Sequence, residues 1–238
     1  MNGIREELNT LMRRAGASAD PLVLERMEAF HALLTERNRQ MDLTNVPEGE
    51  MASRHYLDSL LPAVRYPALF PERARVVDVG SGAGFPGIPL AVYRPDLRVI
   101  LLEANGRRCD FLRDAIGRLS LEVEVLYMRA EEAGQDSRYR ERADLTVSRA
   151  VAPLRTLLEL MLPLTAVGGA ALCWKGRRAE EEMGESEAAA RTLGGGSMAC
   201  LPYGLPGDEG CVIRIAKDLE TPARYPRRPG MPAKRPLE

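Results

Sequence analysis

Apolar residues recur at every third or fourth position through the first quarter of the chain. Beyond it they gather into short unbroken runs. Ile4, Leu8, Leu11 and Met12 form one stripe, and Leu24, Met27, Phe30, Leu33 and Leu34 form a second. The second is opened by Asp20-Pro21, an acid able to cap a helix and a proline suited to its first turn. A third helix is predicted over Glu48 to Leu61, stopped by Pro62. From Arg75 the pattern alternates. Strands are predicted over 76–79, 98–102, 122–126, 145–148 and 170–174, with Gly168-Gly169 turning into the last of these. Helices are predicted over 86–92, 107–119, 153–162 and 179–193. Strand followed by helix, repeated, implies a parallel sheet covered on both faces. The closing strands, 198–201 and 211–215, are joined by a Gly/Pro loop with no room for a helix, which makes an antiparallel edge. The chain therefore divides into a helical extension packed on the core (1–66), an α/β domain (67–217) and a tail (218–238).

Composition narrows the possibilities. The 238 residues are 45% hydrophobic and 28% charged, with a formal net charge of −1, so contact with nucleic acid must come from local patches. The tail is one such patch. Residues 222–237 hold five basic residues, five prolines and no acid, and are expected to lie extended over the surface. Cys109, Cys173, Cys200 and Cys211 form no C-x-x-C pair and only two histidines exist, so buried thiols are expected rather than a metal centre. The first fourteen residues are too charged for a signal peptide and no segment reaches membrane-spanning length, so a cytoplasmic protein is expected.

Chemistry is concentrated after the first strand, in Asp78-Val-Gly80-Ser-Gly82-Ala-Gly84-Phe85-Pro86-Gly87. Glycines let a ligand approach bare main chain. Gly82-x-Gly84-x-x-Gly87 formally meets the dinucleotide fingerprint, so a nicotinamide oxidoreductase stays open. Asp78-x-Gly80-x-Gly82-x-Gly84 fits S-adenosylmethionine better, since that molecule has no pyrophosphate to present to a helix N-terminus. This reading makes the domain a Rossmann-like methyltransferase sheet, mostly parallel with an antiparallel edge strand. Glu103, twenty-one residues after Gly82, ends the second strand where a carboxylate receives ribose hydroxyls from either nucleotide. Ala130-Glu131-Glu132 follows the third strand, near the position of the base, and also reads as an ordinary acidic helix start.

Cations end the next two strands. Arg149, in Ser148-Arg149-Ala150, is placed for a carboxylate or an RNA phosphate. Lys175, Arg177 and Arg178 form a possible phosphate track. In the tail, Arg227 and Arg228 are further candidates for RNA. His55 and Asp58 share a helix face and read mainly as a His–Asp pair fixing that helix to the sheet. A non-enzymatic RNA-binding protein remains a third class, opposed by the intact glycine loop.

These pieces resemble the glucose-inhibited division protein B family along nearly the full chain. The matching residues are Asp42-Leu43-Thr44, Arg54-His55-x-x-Asp58-Ser59, Asp78 through Leu90, Ala130-Glu131, Ser148-Arg149-Ala150, Lys175-Gly176 and Tyr225-Pro226-Arg227-Arg228-x-Gly230-x-Pro232. The resemblance implies methylation of a guanine N7 in small-subunit ribosomal RNA, naked or within an assembling subunit, with S-adenosylmethionine as cofactor. It implies cofactor contacts at Gly80, Phe85, Ala130, Glu131 and Arg149, with Glu103 on the ribose. DNA and membranes are not expected partners, and a monomer is expected. One departure is Asp42, where the family usually carries Asn.

Overall fold

The computed structural model describes residues 3–204 and 210–238. Most of the expected Gly/Pro loop, 205–209, lies outside them, as do Met1 and Asn2. Five parallel strands form the centre of one sheet: β1 (Arg75–Val79), β2 (Arg98–Glu103), β3 (Glu124–Tyr127), β4 (Ala143–Arg149) and β5 (Thr165–Lys175). Antiparallel β6 (Gly195–Pro202) and β7 (Cys211–Lys217) complete the order β3-β2-β1-β4-β5-β7-β6. Strand order reverses beside β1, and ligands in open sheets bind at the carboxyl ends beside such a reversal.

Strand alternation distributes the core between two faces. Val76, Leu101, Leu145, Val147, Leu172 and Trp174 pack on one side. There they meet α1 (Ile4–Arg14) and α2 (Pro21–Met41), so the first helices share a core with the sheet. Val77, Val79, Leu102, Ala171 and Cys173 pack on the other. They meet α7 (Leu154–Met161), α8 (Ala179–Thr192) and Tyr225 of the tail.

The third helix departs from expectation. Glu48–Glu50 form a 3-10 turn, Ala52–Leu57 a π-helical turn, and α3 (Asp58–Arg65) runs through Pro62. Proline removes the N–H that would bond the carbonyl of Asp58. The Trp174 indole N–H takes its place at 3.0 Å, so β5 repairs the helix and is fastened to it. Strand boundaries move as well. Gly168-Gly169 lie inside β5 rather than before it. The β4–β5 register shifts at Ala143/Leu145, and a Cβ on Gly169 would fall 2.4 Å from the Asp144 carbonyl oxygen. The strand expected at 122–126 starts two residues late, because α5 (Gly106–Arg118) closes with left-handed Ser120 and a Leu121 N–H to the Ile116 carbonyl.

The tail corrects the expectation of an extended surface segment. Tyr225, Pro226 and Pro232 are buried, and Met231–Lys234 form a short helix, α9. A basic, proline-rich segment packs here because acids of the domain receive its N–H donors while Arg140 and Gln135 donate to its carbonyls.

Candidate functional site

A cleft of about 740 Å³ opens at the carboxyl ends of β1, β2 and β4, within the range of small-molecule sites. Its floor is main chain. The turn after β1 places Gly80, Gly82 and Gly84 at positive φ, a region that side-chain-bearing residues seldom adopt. A Cβ on Gly82 would meet only the Gly80 carbonyl oxygen, at 3.8 Å, so the approach over it is open. Glu103 forms the wall beside it. Its carboxylate receives the Gly82 N–H at 2.9 Å and the Asn105 N–H at 2.8 Å. A carboxylate has about four lone-pair sites, so both oxygens can still receive hydroxyl groups.

Asp78 lies behind this floor instead of lining the cleft. It is fully buried and receives the Gly87 N–H at 3.0 Å, while its other oxygen has no partner. Burial drives its pKa up to about 7. Asp78 thus shapes the turn from beneath, joining β1 to the start of α4 (Gly87–Tyr93).

Arg149 stands at the other end of the cleft. Its Nη1 donates to Asp58 Oδ2 and to the Arg54 carbonyl, each at 2.8 Å, and Nη2 donates to His55 Nδ1 at 2.9 Å. Arginine can only donate, so Nδ1 carries no proton. The remaining ring proton is on Nε2, aimed at Thr44 Oγ1 2.7 Å away. Burial, then the neighbouring guanidinium, lowers the His55 pKa to about 4, which keeps the ring neutral. The ring stacks on Phe85 at 4.5 Å, and the guanidinium carbon sits 5.2 Å from the Phe85 centroid. The expected His55–Asp58 pair is therefore replaced by two separate grips on Arg149. Asp58 also receives the Tyr203 hydroxyl at 2.7 Å. Of the five guanidinium N–H groups, Nε–H and one Nη2–H stay available for a ligand.

Past Arg149 the surface drops into a second groove of about 860 Å³, lined by Arg54, Trp174, Lys175, Arg177 and Tyr203. Arg149 and Ala150 border both spaces. Ala150 adopts φ 56°, unfavourable for a residue with a Cβ, where the cleft and the groove meet.

The whole chain can be compared with known proteins. Residues 23–200 match the family model for rRNA small subunit methyltransferase G. The ribosomal RNA small subunit methyltransferase G of Pelotomaculum thermopropionicum is 42% identical, with all of both chains covered. That of Moorella thermoacetica is 40% identical over 97% of each. This chain belongs to the rRNA small subunit methyltransferase G family. It is an S-adenosylmethionine-dependent rRNA methyltransferase. In the solved structures, the S-adenosylmethionine-dependent methyltransferase SibL shares the fold at 16% identity, with a TM-score of 0.57 over 83% of this chain and 73% of its own.

Within this methyltransferase G chain the expected site residues, Asp78 apart, divide by where they stand. Gly80, Gly82, Phe85, Glu103, Ala130, Glu131 and Arg149 line the cleft. Glu131 is already engaged, receiving the Gly230 N–H at 2.8 Å. Lys175 and Arg177 line the groove; Lys175 donates to Glu182 at 2.8 Å and to the Ala152 carbonyl at 3.0 Å. Arg178 is exposed and pairs with Glu181, and Arg228 is exposed in the tail. Arg227 is among the lining residues of neither space. Its Nε and Nη2 fork onto buried Glu159, the closest contact 2.6 Å, which fastens the tail to the domain. The roles of Trp174, Tyr203, Gly230 and Ala233 were not visible in local sequence, because each depends on a partner distant in the chain.

Proposed function

We propose that methyl transfer to guanine N7 of small-subunit ribosomal RNA takes place across the Arg149–Ala150 boundary, with cofactor in the cleft and the target base in the groove. Bound over Gly80 and Gly82, S-adenosylmethionine supplies an electrophilic methyl group. Glu103 holds its ribose, and Arg149 offers the remaining two N–H donors to the cofactor carboxylate or the RNA. The observation that carries this reading is the adjacency of a bare-backbone cleft and a cation-lined groove that share one residue pair.

Guanine N7 has a lone pair and no proton, so the protein need not remove one. His55 fits that requirement: both ring nitrogens are engaged, one by Arg149 and one by Thr44. What the residues contribute is alignment, worth as much as roughly 7–11 kcal/mol in favourable cases. Lys175 keeps a third N–H, which suits guanine O6 while leaving N7 open. Arg54 and Arg177 line the groove, Arg178 and Arg228 are exposed outside both linings, and all four suit phosphates. The same reading places the chain in the cytoplasm as a monomer. Among the described residues no helix is long and apolar enough to cross a membrane.

Thermal melting with S-adenosylmethionine, its demethylated product and NAD tests the cofactor assignment. The first two should raise the melting temperature of the wild-type chain and not that of Gly82→Val. Stabilisation by NAD alone would overturn it.

A further inference from the structure

The tail reaches the cofactor cleft. Arg140 donates to the carbonyls of Thr221 at 2.6 Å and Tyr225 at 2.7 Å, and Gln135 donates to that of Pro226 at 2.9 Å. The Arg227–Glu159 fork follows, and Arg227 Nη2 also bonds the Arg235 carbonyl at 2.7 Å, drawing the tail into a loop. At the turn of that loop Gly230, with φ +81°, points its N–H at Glu131. Gly230 and Ala233 then line the same cleft as Ala130, Glu131, Thr156 and Leu160.

We infer that Gly230–Ala233 form the outer wall of the cofactor cleft at the Ala130–Glu131 end, so the tail sets affinity for the nucleoside half of S-adenosylmethionine. This rests on the cofactor reading above. Glu131 is the hinge between the two: its carboxylate orders the tail while its residue borders the ligand. Such coupling is reciprocal. A ligand that packs on the wall stabilises the tail, and an ordered tail tightens the ligand. The tail is thus a positioning element for one substrate, although its composition resembles an RNA-binding arm.

Two variants of the full chain test this. Ala233→Phe adds bulk at an exposed position facing the cleft, and Gly230→Val disfavours the left-handed turn. In both, KM for S-adenosylmethionine should rise about tenfold, and inhibition by adenosine should weaken in parallel, as expected for a misfit in a packed wall. The kcat and the affinity for a small-subunit RNA fragment should stay within about twofold, a change too small to register as a lost contact. If the variants fold poorly, tryptic cleavage of the wild-type chain after Arg224, Arg227 and Lys234 decides. Saturating S-adenosylmethionine should slow it severalfold. An unchanged KM in folded variants, a loss of RNA affinity instead, or cleavage indifferent to the cofactor would overturn the inference. A wild-type chain that fails to bind S-adenosylmethionine at all would overturn the cofactor reading instead.

Discussion

The two ends of the chain approach the cleft from opposite sides, and each is fastened through an arginine. On the N-terminal side the arginine belongs to the sheet: Arg149 at the tip of β4 is gripped by Asp58, His55 and the Arg54 carbonyl. On the C-terminal side it belongs to the tail: Arg227 is gripped by Glu159 of α7. The difference lies in where each arginine stands. Arg149 borders both cleft and groove and keeps two donors, so its fastening also aims it. Arg227 spends Nε and Nη2 on an acid whose side chain is 1% exposed and on the Arg235 carbonyl, lines neither space, and holds the tail in place. Equal formal charge in the sequence thus stands between cleft and groove in one place and fastens the tail in the other.

The sharpest way to break this comparison is Arg227→Ala. It removes the cation from a buried carboxylate, leaving it only the residue 227 main-chain N–H, and should cost about 3–5 kcal/mol in urea unfolding. Replacing the pair together, Arg227→Met with Glu159→Leu, should recover most of that. A loss well under 1 kcal/mol would return Arg227 to the list of RNA contacts.

Asp58→Asn should act on activity more than on stability. It weakens a charge-assisted hydrogen bond worth about 1.5–3 kcal/mol, so kcat/KM should fall roughly tenfold or more. Arg149→Lys should do no better, since an ammonium cannot serve three acceptors on one planar fork and still face the cleft. Wild-type rates in either variant would separate the N-terminal grip from catalysis.

A pH series sharpens the same side. His55 ionises near pH 4 when folded against 6.5 ordinarily, so the unfolded chain binds the extra proton between those values. Its contribution to stability is complete above pH 6.5 and is lost as pH falls toward 4. Asp78 opposes it. Its folded pKa of about 7 lies above the ordinary 3.8, so its contribution is present at low pH and lost as pH rises through 7. The wild-type slope mixes both, and the difference between wild type and His55→Gln isolates the histidine. The stability advantage of wild type should shrink between pH 7 and pH 5, and a constant advantage would contradict the neutral, doubly bonded ring.

Arg228→Ala is the mildest change. It should leave stability unaltered and flatten the logarithmic salt dependence of RNA binding by about one unit, as for one lost phosphate contact. The Arg227→Met, Glu159→Leu pair should not flatten it at all.

Elements governed by local pattern were legible in the sequence. The β-branched run at Val76–Val79, the glycines after it and Glu103 at the end of β2 could be placed from spacing alone. Features governed by distant partners were not. Pro62 reads as a helix stop, because nothing near it announces that Trp174 will bond the carbonyl it orphans. Gly168-Gly169 read as a turn, since the close approach of Asp144 is visible only once β4 and β5 pair. Arg227 and Glu159 are 68 residues apart, and a basic tail considered alone looks like an RNA arm. Asp58 and His55 read as partners of each other because they share a helix face; their common partner arrives from β4, more than ninety positions later.

Nucleoside analysis of small-subunit ribosomal RNA, after incubation with purified chain and isotopically labelled S-adenosylmethionine, addresses the central claim most directly. A base in the groove beside Arg149–Ala150, approached by a methyl group from the cleft with no residue needed to take a proton, predicts label in 7-methylguanosine, abolished by Gly82→Val. Label on an exocyclic amine or a ribose hydroxyl, whose methylation releases a proton, would contradict it.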